Sequence, residues 1–524
     1  MRGKIAIVLM MIATVSCGKE DFKGDRALDY EYGRDLKHDM IVLGDRLENP
    51  YTTANMTKAL NSLYPVKSDR TDIKTTDLYV RFLPADDVEY ELLHSLGIHL
   101  TDHPMDYDIV VEGDWYHDPD VPENKVTWQY AVVPADFVFP DIRYEIIDEC
   151  FIAENAAGTR ADGIDWEEVE RMAYKMTGNE SRLAPVVTKA SSKVQPSGRI
   201  TIEDADFKGG QPFGVAGVQV SCNSFVKFDH AYTDRDGYYQ MEKTYASDLR
   251  YRLVFKNEKG FSIGFNMILV PASVSTLGKS SPEGVNMTVT ANSDEKLFRR
   301  CAVNNAAYDY ISRCASEDLD ITAPPGDLRI WILNFLDASS AVMLHHGAIV
   351  RNDLLRAYLQ EYAGLLEAFL PDITIGSKSM KDYADLYSTT SHELSHASHF
   401  SKVGTGYWNN YILYMIESFL SSRDMMYGDG TGVGAGYCEI GEMWAYYVES
   451  KLYKERYGGT YPSFGTSYWF YPQIFRFLEE RGMTTSDIFS VLTTDVVSKP
   501  ELKSALMLAF PEQREMIEQV FNRY

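Results

Sequence analysis

The sequence predicts a multidomain α+β protein: a small N-terminal α/β domain, a central β-sandwich, and a C-terminal, mainly helical domain with an edge-strand sheet. Three observations carry the prediction. At 524 residues the chain is several times longer than one ordinary domain of about 100–150 residues. Short segments that alternate apolar and polar residues crowd between Arg199 and Phe255, the period of strands. From about Thr288 the chain reads as helix, with one strongly apolar strand, Asp327–Leu336, as the exception. With 45% hydrophobic and 24% charged residues the composition is globular, which excludes a disordered, collagenous or multi-span membrane chain. The net charge of −25 repels phosphate backbones and argues against nucleic acid as a partner.

In chain order, Arg2 and Lys4 precede an apolar run from Ile5 to Val15, followed by Ser16 and Cys17. A basic flank, a short apolar run and a small-residue boundary describe a secretory signal. The run falls short of the roughly 20 apolar residues a bilayer span requires. Thr14-Val15-Ser16-Cys17 resembles the lipobox of bacterial lipoproteins, with Thr14 where that family prefers Leu. The resemblance implies that residues 1–17 are a lipoprotein signal peptide and that Cys17 carries the lipid. The lipid would anchor the protein to a membrane leaflet, at the outer membrane or cell surface of a Gram-negative cell or on its periplasmic face. A plain secreted signal with an incidental Cys is the other reading. Five cysteines follow, Cys150, Cys222, Cys301, Cys314 and Cys438, too few for a disulfide scaffold. Cys301 and Cys314 are close enough in sequence to be a candidate pair.

Residues 18–75 read as a polar tether and N-terminal extension with a helix near Thr53–Leu63. Residues 76–185 read as the small α/β domain. Its elements are a strand at Leu78–Leu83, a helix at Ala85–Ser95 closed by Gly97, a strand from Ile98, an extended region at Val126–Phe139 and an amphipathic helix at Asp165–Lys175. By fold-level analogy this is a two-layer domain of the kind used as a prodomain. The stretch between Val186 and Gly198 lacks apolar periodicity and reads as a linker. Residues 196–275 carry short strands at Arg199–Ile202, Ala216–Cys222, Ala231–Thr233, Tyr238–Met241 and Arg250–Phe255, the spacing of a β-sandwich. Gly214–Val220 and Tyr232–Tyr239 resemble the carboxypeptidase-regulatory, transthyretin-like modules, which implies a spacer or adhesion unit. Asp234 and Asp236 lack the further acidic ligands of a calcium loop, so Asp236-Gly237 reads as a tight hairpin turn.

Residues 288–524 carry the chemistry. Helices are expected near Asn352–Leu370, Lys381–Lys402, Tyr407–Ser421, Glu442–Tyr457 and Tyr471–Arg481, with two or three shorter ones after Thr485. Within the second stands His392-Glu393-Leu394-Ser395-His396. Two His four apart on a helix project from one face, one turn apart, and can share one ion. Glu393 lies beside that face, in reach of a water held by the ion. A catalytic zinc takes three protein ligands, so a third is needed. Lys402 stands where the metzincin pattern requires His, which excludes that class, and His399 lies a further turn along the helix. The better candidates lie in Glu439–Glu449, where Glu442 is expected to open a helix on one face with Ala445, Tyr446 and Glu449. Small Ala445 would let the two helices approach closely.

These residues resemble the gluzincin peptidases, whose third zinc ligand is a Glu opening a downstream helix in the pattern Glu-x-x-Ala-x-Tyr-x-Glu. Glu442, Ala445, Tyr447 and Glu449 match that pattern. The resemblance implies a zincin-like domain with Zn2+ held by His392, His396 and Glu442 and with Glu393 as general base; Glu439 or a more distant residue are the alternative ligands. The separation from His396 exceeds that of the best-known members, and the excess holds a Tyr-rich helix and the glycine run 428–436. That run lacks the context of a phosphate loop and reads as a mobile cleft rim. Tyr446, Tyr447 and Tyr468 are candidates to stabilise an oxyanion, with Tyr447 set beside Glu393 as catalytic; His345 and His346 are further candidates. The expected substrate is a protein or peptide, paired along the Asp327–Leu336 edge. Oligomeric state is left open. Two alternatives stand beside this: a zinc hydrolase acting on cell-wall or glycoprotein material, and a surface lipoprotein for adhesion or glycan-related binding with a non-catalytic zincin fold.

Overall fold

The structure, a computed structural model, describes residues 40–68, 73–122, 125–156, 163–184, 194–265, 272–316, 318–334, 336–348, 370–421, 427–459 and 468–524. The signal segment with Cys17, most of the linker and the helix expected over Asn352–Leu370, except Leu370 itself, lie outside these residues. The fold is multidomain α+β, with a large sheet region followed by a C-terminal helical region.

The N-terminal elements are strand β1 (Val42–Arg46), helix α1 (Thr53–Leu63), β2 (Asp77–Phe82), α2 (Asp87–Ser95), β3 (Tyr107–Val111), β4 (Gln129–Pro134), β5 (Tyr144–Cys150) and α3 (Trp166–Met176). Strand β2 is central to an antiparallel sheet in the order β4-β2-β5, and β1 pairs with β3. Helix α3 starts where Asp165 accepts from the Glu167 and Glu168 amides, satisfying donors a helix start leaves open. Its Val169 and Ala173 pack on Met56, Ala59 and Leu60 of α1. The strand expected from Ile98 shrinks to a single bridge, Thr101 to Tyr130.

Among the described residues nine strands follow: β6 (Ser197–Ile202), β7 (Phe213–Gly214), β8 (Val218–Ser224), β9 (Lys227–Tyr232), β10 (Tyr238–Gln240), β11 (Leu249–Asn257), β12 (Ser262–Phe265), β13 (Val274–Ser280) and β14 (Asn286–Val289). One sheet has the order β10-β6-β14, with β7 also on β6. The turn before β10 is tight: Asp234 accepts from the Asp236 and Tyr238 amides at 2.9 Å. Gly237 sits there at φ 85°, and a Cβ would lie 2.1 Å from the Ile200 carbonyl, so only glycine fits.

The second sheet crosses into the C-terminal region. Helix α4 (Glu295–Cys314) precedes strands β15 (Arg329–Leu333), β16 (Ser340–Ala341) and β17 (Ile373–Gly376), and the order is β16-β17-β15-β12-β11-β8-β9, with β13 also on β11. This corrects the edge assigned to Asp327–Leu336. Strand β15 is paired in parallel on both sides, with β12 and β17, and Ile330, Trp331, Ile332 and Leu333 are all buried. A continuous apolar run is what an interior parallel strand requires. Among the described residues β16, antiparallel to β17, ends this sheet.

Helix α4 falls within the helical reading from about Thr288 but in none of the individually expected helices. It is buried nearly all round, including Arg299, Arg300, Asn304 and Asn305, so its polar residues hide the apolar stripe. Asn304 and Asn305 donate to the Ala216 and Gly214 carbonyls at 2.9 and 2.8 Å, fastening the helix to the sheet region. Cys301 and Cys314 stand at separate points of this helix, about 20 Å apart at 1.5 Å per residue, so they cannot pair. All five described cysteines are buried free thiols. Residues 18–524, unfolded without reductant, are therefore expected to titrate five thiols with Ellman's reagent; three would reveal a disulfide.

The rest of the chain is helical: α5 (Tyr383–Ser421), α6 (Ala435–Tyr457), α7 (Gln473–Glu479), α8 (Thr485–Ser490), α9 (Lys499–Ala509) and α10 (Arg514–Phe521). Glu442 does not open its helix, because α6 starts at Ala435 and Glu442 lies two turns in. The glycine run forms the turn into α6, with Gly430 at φ 79° against the Trp469 ring. No helix among the described residues is long and apolar enough to cross a membrane.

Candidate metal centre

Helices α5 and α6 pack side by side and supply the site. Helix α5 breaks at Gly404, where φ 76° and ψ 177° belong to no helix. In an unbroken helix Tyr411 would stand about 22 Å from His396 at 1.5 Å per residue. The break turns the chain back, so that Tyr411 and Trp408 lie with ring centroids 5.6 and 5.7 Å from that of His396. The close approach of α6 is met by small residues. A Cβ on Gly441 would already be 3.8 Å from His396 Nδ1, and Ala445 is buried. Trp444 fixes the register by donating to the Ser395 carbonyl at 3.1 Å.

The imidazoles of His392 and His396 stand edge-on with centroids 4.9 Å apart. Glu442 Oε2 is 3.5 Å from His392 Nε2, and its Oε1 is 3.5 Å from His396 Nε2. One ligand atom from each of the three lies within 4.8 Å of the others, and all three residues are buried. Two donors bound about 2.1 Å from a common tetrahedral centre are about 3.4 Å apart, so the spacing fits a metal ion. Glu393 gives an independent sign. Its carboxylate is wholly buried, and neither oxygen has a hydrogen-bond partner among the described residues. Such an acid is costly unless a cation or an ordered water serves it.

Electrostatics follow from burial and mutual contact. Burial, with Glu442 and Glu449 near, pushes the Glu393 carboxyl well above its usual range despite His392. Burial would also raise Glu442, but the His396 and His392 imidazoles outweigh it and hold that carboxyl well below the usual range. Burial acts downward on His392, and Glu442 and Glu449 overcome it, pushing the imidazole up to about 10. For His396 burial wins and the shift is downward. A bound cation would replace these protons, because metal ligation requires neutral imidazole and ionised carboxylate.

Further residues hold the ligands. Glu449 Oε2 lies 3.0 Å from His392 Nδ1, and Ser388 donates to its Oε1. Tyr411 donates to Glu442 Oε1 at 2.7 Å. Glu449 and Ser388 each lie within helical reach of the motif, seven residues after Glu442 and four before His392, a signal the spacing offers. Tyr411 has no such signal, because only the break at Gly404 brings it back. A partner on the second nitrogen fixes a ligating imidazole's tautomer and orientation. Glu449→Gln is expected to weaken metal binding about 10–100-fold with the circular dichroism unchanged; competition with a chelator measures it, and an unaltered affinity would refute the role.

The structure does not bring every candidate together. Tyr447 points away from the group, because five residues from Glu442 is the far side of α6. Its hydroxyl lies 3.2 Å from Thr485 Oγ1 and its ring packs near Trp444 and Phe475, which corrects its placement as a catalytic residue. Tyr446 stands at the site instead, with its ring centroid 4.5 Å from that of His392 and its hydroxyl 3.4 Å from that of Tyr468. Glu439 accepts from the Lys499 amide at 3.0 Å, outside the group. His399 is buried among Tyr407 and Trp408, where burial and His396 push it down to about 3, a neutral core residue. His346 Nδ1 lies 3.0 Å from Asp372 Oδ1, and His345 Nε2 lies 3.4 Å from Asp327 Oδ2. Neither belongs to the metal group.

No protein-family model and no curated protein sequence matches the chain.

Proposed function

We propose that the chain is a zinc-dependent hydrolase of gluzincin type, a peptidase acting on peptide or glycoprotein substrates outside the cytoplasm. The observation that supports it most is the buried His392–His396–Glu442 group with the unpartnered Glu393 carboxylate beside the first of them. Two imidazoles and one carboxylate are a common donor set for catalytic zinc, and a three-residue set leaves a position open. When bound, zinc supplies Lewis acidity toward a scissile carbonyl and toward water.

The chain's own residues do the rest. Glu393, wholly buried beside His392, takes a proton from the attacking water on a carboxylate oxygen and passes it to the leaving amine. Glu449 holds the His392 ring through Nδ1, and Tyr411 holds the Glu442 carboxylate. Tyr446, with its ring against that of His392, is the oxyanion candidate this arrangement supports best. The export signal ending at Cys17 and the transthyretin-like resemblance of residues 196–275 give this reading its setting. They describe a lipid-anchored enzyme whose β-strand module stands between the anchor and the helical domain. A peptide-library cleavage screen with zinc-loaded protein tests the proposal. Cleavage that chelation abolishes and zinc restores is the expected result; a loaded protein inert toward every peptide would move the substrate to another class.

A further inference from the structure

The joint between the N-terminal elements and the β-strand module differs in kind from the joint between that module and the helices. At the second joint there is no boundary in the packing. Strand β12 pairs with β15 across it, and one apolar core runs from Ile200, Val220 and Phe255 through Ile330 to Leu394 and Met443. Residues before Ala184 instead keep cores of their own. Among the described residues, the module enters one of these only through the tip of the β8–β9 hairpin. There Phe225 and Val226 sit among Tyr51, Tyr79, Trp128 and Tyr174.

Around that tip the contact is charged, and its polarity is uniform. Glu91 pairs with Arg329 at 2.5 Å, Asp108 with Lys279 at 3.3 Å, Glu112 with Arg250, and Asp114 with Arg300 at 2.9 Å. Glu154 and Glu170 meet the buried Lys227 at 2.7 and 3.3 Å. Among the described residues, every ion pair across this joint takes its acid from the N-terminal side and its base from the other. Among the described residues, main-chain bonds join the two sides only where the chain leaves: the Ala184 amide donates to the Ala246 carbonyl and the Asp248 amide to the Arg182 carbonyl. An aromatic anchor inside a polar rim is the anatomy of an interface between separate proteins. A permanent core gains little from buried ion pairs, since apolar residues of the same volume do as well or better.

We propose that the described residues between 40 and 184 form a separable body docked on a basic face made by the β-strand module with α4 and β15, and that this contact can open while the module and the helical domain stay one unit. The face uncovered carries Lys227, Arg250, Lys279, Arg300 and Arg329 around the Phe225–Val226 tip, an acceptor for an acidic surface with an apolar socket in a chain of net charge −25. The fit is reciprocal: Asp108 and Glu112 are about two-fifths exposed at the rim, where salt reaches them.

A specific-protease site placed within residues 185–193 of the folded full-length protein tests this. After cleavage the two pieces should co-elute at micromolar concentration in 0.05 M NaCl. Their dissociation constant should rise about tenfold or more in 1 M NaCl, where screening shortens to about 3 Å. The Asp108→Lys, Glu112→Lys double variant, which sets like charges against Lys279 and Arg250, should separate at 0.15 M with a loss of about a hundredfold in affinity. Returning separated parent pieces to 0.05 M NaCl should rejoin them. A site placed instead between Ala291 and Asn292 should give pieces that part only in denaturant. Pieces from the first cleavage that stay together in 1 M NaCl and in the double variant, or that aggregate once parted, would overturn the proposal. None of these readouts depends on metal or on catalysis.

Discussion

Glu442→Ala is expected to empty the metal centre. Purified residues 18–524 should carry about one zinc per chain after supplementation, the stoichiometry of a single three-ligand site, and the variant should carry none above background. The reason is geometric: Glu442 is the only group in the cluster contributed by α6, and its two oxygens face one imidazole each at 3.5 Å. Glu439→Ala should keep its zinc, because that carboxylate is engaged by the Lys499 amide, where α9 begins, a turn away from the group. Elemental analysis of the two variants beside the parent decides the ligand. Zinc retained by Glu442→Ala would return the third position to a more distant residue. A parent without zinc after supplementation would favour the binding-lipoprotein reading instead.

Glu393→Gln should do the opposite, keeping the metal and losing the turnover. The amide nearly matches the carboxylate in size and cannot accept the proton, so kcat should fall about 10²–10⁴-fold, the range for removing a general base. Zinc content and KM should change little, since Glu393 touches neither ligand set nor a binding contact among the described residues. The substitution also removes a wholly buried acid whose oxygens have no partner there, so stability should hold or rise. Thermal unfolding measured beside the rate separates the two effects. A variant that loses zinc along with activity would place Glu393 among the ligands, and one as active as the parent would end its role as base.

The His392–His396–Glu442 group was legible in the sequence because its parts follow helical spacing. His392, Glu393 and His396 lie within one turn of a helix, and the period of that helix dictates that the two imidazoles share a face. Glu442 and Glu449 were legible for the same reason, seven residues apart on a second helix. Elements with a clear period were legible too: α1 spans Thr53–Leu63 as expected, and α3 begins beside the cap at Asp165.

What the sequence left open depends on contacts between segments far apart in the chain. Local pattern put a strand at Asp327–Leu336 but could not say that β12 and β17 would occupy both its sides, which denies it the role of an edge. It could not tell Tyr446 from Tyr447, because the choice depends on how α6 is rotated against α5, and Gly441, Ala445 and Trp444 set that rotation together. Nor could it find Tyr411, which reaches Glu442 only because the chain reverses at Gly404. The sequence by itself determined which residue types stand at helical spacing. The tertiary structure decided which faces meet and which pairs are buried, because packing and charge pairing are properties of two surfaces and period belongs to one.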